Sequence, residues 1–170
     1  MPGRSLHAYR RATADLKLSH LRDTPAWMRE ESSEHIHTGY RVGYTWPMIL
    51  RSLFTVHNET ANVWTHLLGF LLMLFLGHHA FANVLDVSVV TYVVFVSFFA
   101  SCLWCLGAST VFHLCWHHSS GVHKTTLFCD HFGISALITG SMIPLVVFLY
   151  TCHPTLQLVY SGVIAAVGEL

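Results

Sequence analysis

The sequence predicts an all-α, polytopic membrane helix bundle with three complete spans and part of a fourth. Three observations point there. Hydrophobic residues make up 53% of the 170-residue chain and charged residues only 11%, where soluble domains carry about 25% charged residues. The charges are also segregated. Every Lys and Arg except Lys124 lies at or before Arg51, and between Thr60 and Val122 the only charged side chain is Asp86. Finally, the apolar runs after Thr60 approach the roughly 20 residues needed to cross a hydrocarbon core of about 30 Å.

Residues 1–47 read as a cytosolic tail with scattered short helices. MPGRSLHAYRR has no apolar stretch behind its basic residues, so a cleaved signal peptide is not expected. In DTPAWMREE, from Asp23, a helix start is predicted, with Asp23 or Thr24 as the cap and Pro25 at the first helical position. Gly39, Gly43 and Pro47 predict a loop. Residues 48–63 read as an interfacial helix with Ile49, Leu50, Leu53, Phe54 and Val56 as its apolar surface.

Residues 64–170 form the partial transmembrane bundle. Trp64–Leu85 is the first span, and its polar approach HNET, from His57, suits a helix start at the membrane–water boundary. Ser88–His113 is the second. Its small residues Ser97, Ala100, Ser101, Gly107 and Ala108 allow close helix packing. His131–Tyr150 is the third, with Pro144 as an expected kink. Thr155–Gly168 begins a fourth, which is still short at Leu170.

Arg41 and Arg51 precede the first span, the turn at Asn83–Val87 lacks Lys and Arg, and the His117–Phe128 loop carries Lys124. That asymmetry predicts a cytoplasmic N-terminus. It also puts three polar motifs at one membrane face: the entry at Asn58–His66, the end of the second span, and the start of the third. Five cysteines, Cys102, Cys105, Cys115, Cys129 and Cys152, read as small buried hydrophobes rather than a disulfide framework. No basic cluster points to nucleic acid.

The chemistry-bearing residues are Ser109, His113 and Asp130. Ser109, His113 and His117 are spaced to share one helical stripe. A hydroxyl one turn before an imidazole can hold the ring or a metal-bound water, and histidines at i and i+4 can share a metal. The plainer reading is a histidine placed where water reaches the helix end. Asp130 opens the third span as CysAspHisPheGlyIleSer. Paired with His113 it suits a metal with a supporting carboxylate; alone it suits a helix cap or a favourable dipole contact.

The chain resembles the progestin and adipoQ receptor family, which includes adiponectin receptors and hemolysin-III-like proteins, and is most similar to the adiponectin-receptor branch. The resemblance runs through AspThrProAlaTrp (23–27), HisAsnGluThrAlaAsnValTrpThrHisLeuLeuGly (57–69), Ser109-xxx-His113, and Asp130 with Gly133 and Ile134. It implies a seven-helix membrane receptor with its N-terminus in the cytoplasm. It also implies one zinc ion near the cytoplasmic side, with His113 as a ligand and Asp130 holding the zinc-bound water. Two further histidines would come from an His-xxx-His motif on the seventh helix. The implied chemistry is hydrolysis of the ceramide amide bond, with Asp130 and Ser109 as the catalytic side chains.

The departures are that residues 1–170 contain no fifth to seventh helix, and that His117 and His131 replace a cysteine and a tyrosine common in the family. The alternative is a non-catalytic, truncated membrane protein that associates with full-length relatives. Expected partners are membrane lipids, ceramide or a related sphingolipid, an adiponectin-like extracellular protein ligand, and a second copy of the chain. The expected location is the plasma membrane or an endomembrane.

Overall fold

The computed structural model describes residues 16–83 and 88–168. They form an all-α membrane helix bundle with three long apolar helices, a shorter fourth, and a small polar assembly built on a two-stranded ladder. In chain order the elements are β1 (Ser19–His20), a 3-10 turn (Leu21–Asp23), α1 (Ala26–Glu31), β2 (Thr38–Tyr40), α2 (Trp46–Ser52) and α3 (Thr60–Asn83). Then come α4 (Val89–Cys115), a second 3-10 turn (Trp116–His118), α5 (Ser120–Leu149) and α6 (Pro154–Gly168). Two compact units share these elements. The first joins the described residues up to Trp64 with Val111–Leu127; the second joins the described residues of 65–110 with those from Phe128 onward.

In the second unit, the hydrophobic surface faces outward. Leu68, Leu71, Leu72 and Phe75 on α3, and Val89, Val90 and Val93 on α4, are all exposed. At 1.5 Å per residue the 24, 27 and 30 residues of α3, α4 and α5 make rods of about 36, 40 and 45 Å. Each is long and apolar enough to cross a membrane. Lipid supplies the cover that a soluble core would otherwise supply, so side-chain packing, not hydrophobic burial, holds the helices together. Small residues let them approach. A β-carbon on Gly133 of α5 would lie 2.9 Å from Cα of Cys105 on α4, and one on Gly140 would overlap the side chain of Ser101. Gly77 abuts Phe99 and Gly107 abuts Phe70, which closes α3 on α4. Helix α5 runs through Pro144; the missing N–H leaves one turn of the helix without its hydrogen bond.

The polar unit departs from expectation in its local detail. Residues around Gly39 form a strand rather than a loop: β1 and β2 pair antiparallel, Ser19 opposite Tyr40 and His20 opposite Thr38. Neither Asp23 nor Thr24 caps α1. Pro25 occupies the cap position, its carbonyl accepts from the Met28 and Arg29 amides, and Thr24 Oγ1 instead donates to the Leu21 carbonyl. The helix expected over residues 48–63 is two elements, because the HNET segment starts a new helix. The His57 amide donates to Thr60 Oγ1 at 2.8 Å and the Glu59 amide donates to His57 Nδ1 at 3.1 Å. This reciprocal cap satisfies two otherwise orphaned donors. The break is fixed from the other side by Trp64 Nε1, which donates to the Leu53 carbonyl at 3.0 Å.

The loop expected at His117–Phe128 is mostly helix as well. Ser119 accepts the Val122 amide on its hydroxyl and the His123 amide on its carbonyl, starting α5 at Ser120. Asp130 therefore sits about three turns inside α5, which removes the cap and dipole readings for it. Likewise α4 ends at Cys115, so His117 lies in the 3-10 turn and off the stripe of Ser109 and His113.

Gly39 joins the ladder to the start of α3. Its φ is +95°, its carbonyl accepts from the Asn58 amide at 3.1 Å, and a β-carbon there would lie 2.8 Å from that same nitrogen. Gly39→Ala is expected to cost about 1–3 kcal/mol. It should lower the thermal midpoint of the detergent-solubilised chain by several degrees in a size-exclusion melting assay, whereas an unchanged midpoint would contradict the close approach.

Candidate functional site

The polar unit is organised around a cation with no exposure to solvent. Arg41 follows β2 directly and is 0% exposed. Its Nη1 donates to the Leu114 carbonyl at 2.9 Å and to Ser52 Oγ at 2.8 Å; its Nη2 donates to the His113 carbonyl at 2.8 Å and lies 3.1 Å from His117 Nδ1. The last four carbonyls of any α-helix lack intrahelical partners and carry the negative end of its dipole. The planar guanidinium fork therefore caps α4 by charge and by hydrogen bonding together. Because the guanidinium only donates, His117 Nδ1 accepts. Burial lowers the Arg41 pKa to about 10, with Glu59 opposing that shift, so the group stays cationic near neutral pH.

Aromatic packing closes this arrangement. Met28, Tyr40 and Trp116 are buried together, with Trp27, Val42 and Phe112 packed against them. Trp27 meets Trp116 edge-on at 6.3 Å between centroids, and the His123 ring lies within 5.5–5.9 Å of Trp116, Phe112 and Trp27. Beside the cluster is a cavity of about 350 Å³ walled in part by Glu31, Tyr40, Glu59, His113, Trp116 and His123.

Into this cavity's wall the chain brings two of its motifs. Glu59, from the entry to α3, and His113, near the end of α4, meet at 2.9 Å between Oε2 and Nδ1. Asn62 Nδ2 donates to the same carboxylate oxygen at 2.7 Å. Burial alone would raise the Glu59 pKa. The hydrogen bonds from His113 and Asn62, with the nearby positive charge of Arg41, outweigh it and hold the carboxyl below its ordinary value. Nearby, His57 is driven down to about 4, by burial first and then by Arg41, so it is neutral near pH 7.

Of the three residues singled out from sequence, His113 lines this cavity. Ser109 and Asp130 are both buried and belong to the other unit, and no hydrogen bond joins Ser109 to Asp130 among the described residues. Glu59 and Arg41 were missed as site residues. In the sequence Glu59 looks only like part of a polar helix entry, and Arg41 only like an orientation signal. Among the described residues no group of three or more His, Cys, Asp or Glu is placed to hold a metal ion. The residues present do not by themselves fit a zinc site: His113 is paired with a carboxylate, and His117 is committed to Arg41.

Comparison with known proteins shows where the arrangement belongs. Residues 54–170 match the family described as haemolysin-III related. The chain belongs to the haemolysin-III-related family. The family match takes in Glu59, Ser109, His113 and Asp130 and leaves Arg41 outside it. The chain is 30% identical over 159 residues to the adiponectin receptor protein of Drosophila melanogaster, covering 92% of this chain and 35% of that protein. It is 32% identical over 155 residues to progestin and adipoQ receptor-like protein 1 of Caenorhabditis elegans, covering 90% and 35%. With heptahelical transmembrane protein 1 of Arabidopsis thaliana the identity is 31% over 154 residues, covering 86% and 46%. The chain thus spans about a third of the length of the first two relatives.

Proposed function

We propose that the chain contributes the entry side of an adiponectin-receptor-type membrane protein, with its N-terminus in the cytoplasm and its functional centre around His113. One observation carries this reading. Two motifs far apart in sequence, HNETANVWTHLLG and Ser109-xxx-His113, meet through the 2.9 Å contact of Glu59 with His113 on the wall of a cavity of mixed polar and apolar lining. A partly buried carboxylate–imidazole pair on a cavity wall suits a chemical or ligand-binding role better than an anchoring one. Trp46, Leu50, Phe54 and Val56, exposed on α2 and the turn after it, would seat this side of the chain in the lipid interface.

The finer part of the proposal is hydrolysis of a ceramide-type amide, with Asp130 and Ser109 serving the reacting groups and an adiponectin-like protein as the outside signal. When bound, zinc would supply Lewis acidity. The described residues offer His113 towards it, and further ligands must come from beyond them, so no reaction step is assigned to the metal. A second reading, a non-catalytic partner of longer relatives, is favoured by an apolar cleft of about 440 Å³ between α5 and α6, walled by Ile138, Met142, Val163 and Ile164. Its apolar lining could receive side chains of a neighbouring helix.

Zinc content of the purified chain, wild type against His113→Ala, tests the first reading. A lower metal content in the variant than in the wild type is the expected result; the described residues supply only His113, so full occupancy and ceramide turnover are expected only once further ligands are present. Equal metal in both proteins removes His113 from any zinc site. Absence of metal and turnover, with co-purification of a longer relative, establishes the second reading.

A further inference from the structure

We propose that Glu59 is the positioning residue of His113, holding its ring in the tautomer that carries the proton on Nδ1 and the lone pair on Nε2. The proposal builds on the reading of His113 as the functional side chain of the site, although the tautomer can be measured independently of any activity. Glu59 Oε2 lies 2.9 Å from His113 Nδ1. An ionised carboxylate only accepts hydrogen bonds, so the proton of a neutral ring must be on Nδ1.

The carboxylate is fixed by its own surroundings. Asn62 donates to Oε2 at 2.7 Å, and Asn58 Nδ2 lies 3.4 Å from Oε1. The backbone of Glu59 is pinned on both sides: its amide donates to His57 Nδ1 at 3.1 Å, and its carbonyl accepts the Val63 amide at 2.9 Å. At the other end, the carbonyl of His113 accepts from Arg41 Nη2 at 2.8 Å. Ring and backbone of His113 are therefore held separately, one by Glu59 and one by Arg41.

This arrangement decides what His113 can do. A carboxylate on one imidazole nitrogen fixes the orientation of the ring and makes the other nitrogen more basic, the device proteins use behind metal-bound histidines and general bases. His113 acts through Nε2, whether on a metal or on a proton. Water favours the opposite tautomer of a free imidazole, so the effect of Glu59 is visible as a reversal. Asn58, Glu59 and Asn62 accordingly set the geometry of the site rather than forming only a polar helix start.

The test is nitrogen NMR on the full chain, labelled with ¹⁵N-histidine and held in detergent micelles near pH 7.5, with His113 assigned from its absence in His113→Gln. The wild type is expected to show Nδ1 protonated and Nε2 unprotonated. Glu59→Ala should move His113 to the Nε2-protonated form, and Glu59→Gln, whose amide oxygen still accepts, should restore the wild-type signature. Wild-type His113 with its proton on Nε2, or on both nitrogens, overturns the proposal, as does a signature unchanged in Glu59→Ala. The wild-type spectrum decides the question even if Glu59→Ala fails to fold. If the signature holds while zinc content does not depend on His113, the metal reading fails and the positioning role stands.

Discussion

Arg41→Ala is expected to destabilise the polar unit by about 3–5 kcal/mol, a large share of the 5–15 kcal/mol that usually separates folded from unfolded protein. The substitution strips donors from the carbonyls of His113 and Leu114 and from His117 Nδ1. Each buried acceptor left without a partner costs about 1–3 kcal/mol. Ser52 is the exception, since its hydroxyl keeps a bond to the Ile49 carbonyl at 2.7 Å. Arg41→Met restores volume and supplies no donor, so it should behave like alanine. Arg41→Lys keeps the charge but concentrates its donors on one atom, which cannot span acceptors on two helices and a turn; an intermediate loss is expected. The measurement is hydrogen exchange across residues 111–119 with the monodisperse fraction in detergent. Faster exchange confined to this helix end is the expected signature in any variant that remains soluble, and wild-type exchange in Arg41→Ala would refute the capping role.

The second large effect is expected where α4 meets α5. Gly133→Ala sets a methyl group against the Cys105 backbone, which cannot rotate away, so the helices must separate at a cost of about 1–3 kcal/mol. Gly140→Ala meets mainly the Ser101 side chain, with the Ser97 carbonyl 3.3 Å away. The two positions therefore differ in how they can be rescued. Ser101→Gly should recover much of the loss in Gly140→Ala and nothing in Gly133→Ala. Thermal midpoints of the three single variants and the two double variants, compared with wild type as two double-mutant cycles, check this; an equal rescue at both positions would mean that the helices are not packed through these glycines.

Long apolar runs were legible because a membrane asks little of a sequence beyond length and the absence of charge: α4 and α5 cover the expected spans to within one residue, and α3 covers the first as far as Asn83, residues 84–85 lying outside the described residues. Local starts and stops were harder. Ser119 and the His57–Thr60 pair start helices through side-chain bonds that look like ordinary loop polarity in the sequence. For that reason the sequence pattern puts the start of α5 too late and makes Asp130 look like a helix terminus. The site was half legible. His113 stood out by residue type and spacing. Its contact with Glu59 bridges 54 residues, and no local pattern reports which of several polar residues at a helix entry will face an imidazole on another helix. Arg41 was misjudged for a related reason. Charge counted along a chain indicates a membrane side, while the same side chain, folded inward, becomes a cap.

The capping arginine also dictates an order of events during synthesis. Its acceptor Leu114 lies 73 residues downstream, so at 5–20 residues per second the ribosome delivers it roughly 4–15 s after Arg41 itself. Through that interval the guanidinium has no helix end to serve. The polar unit can therefore close only after the whole of α3 and nearly all of α4 have been made.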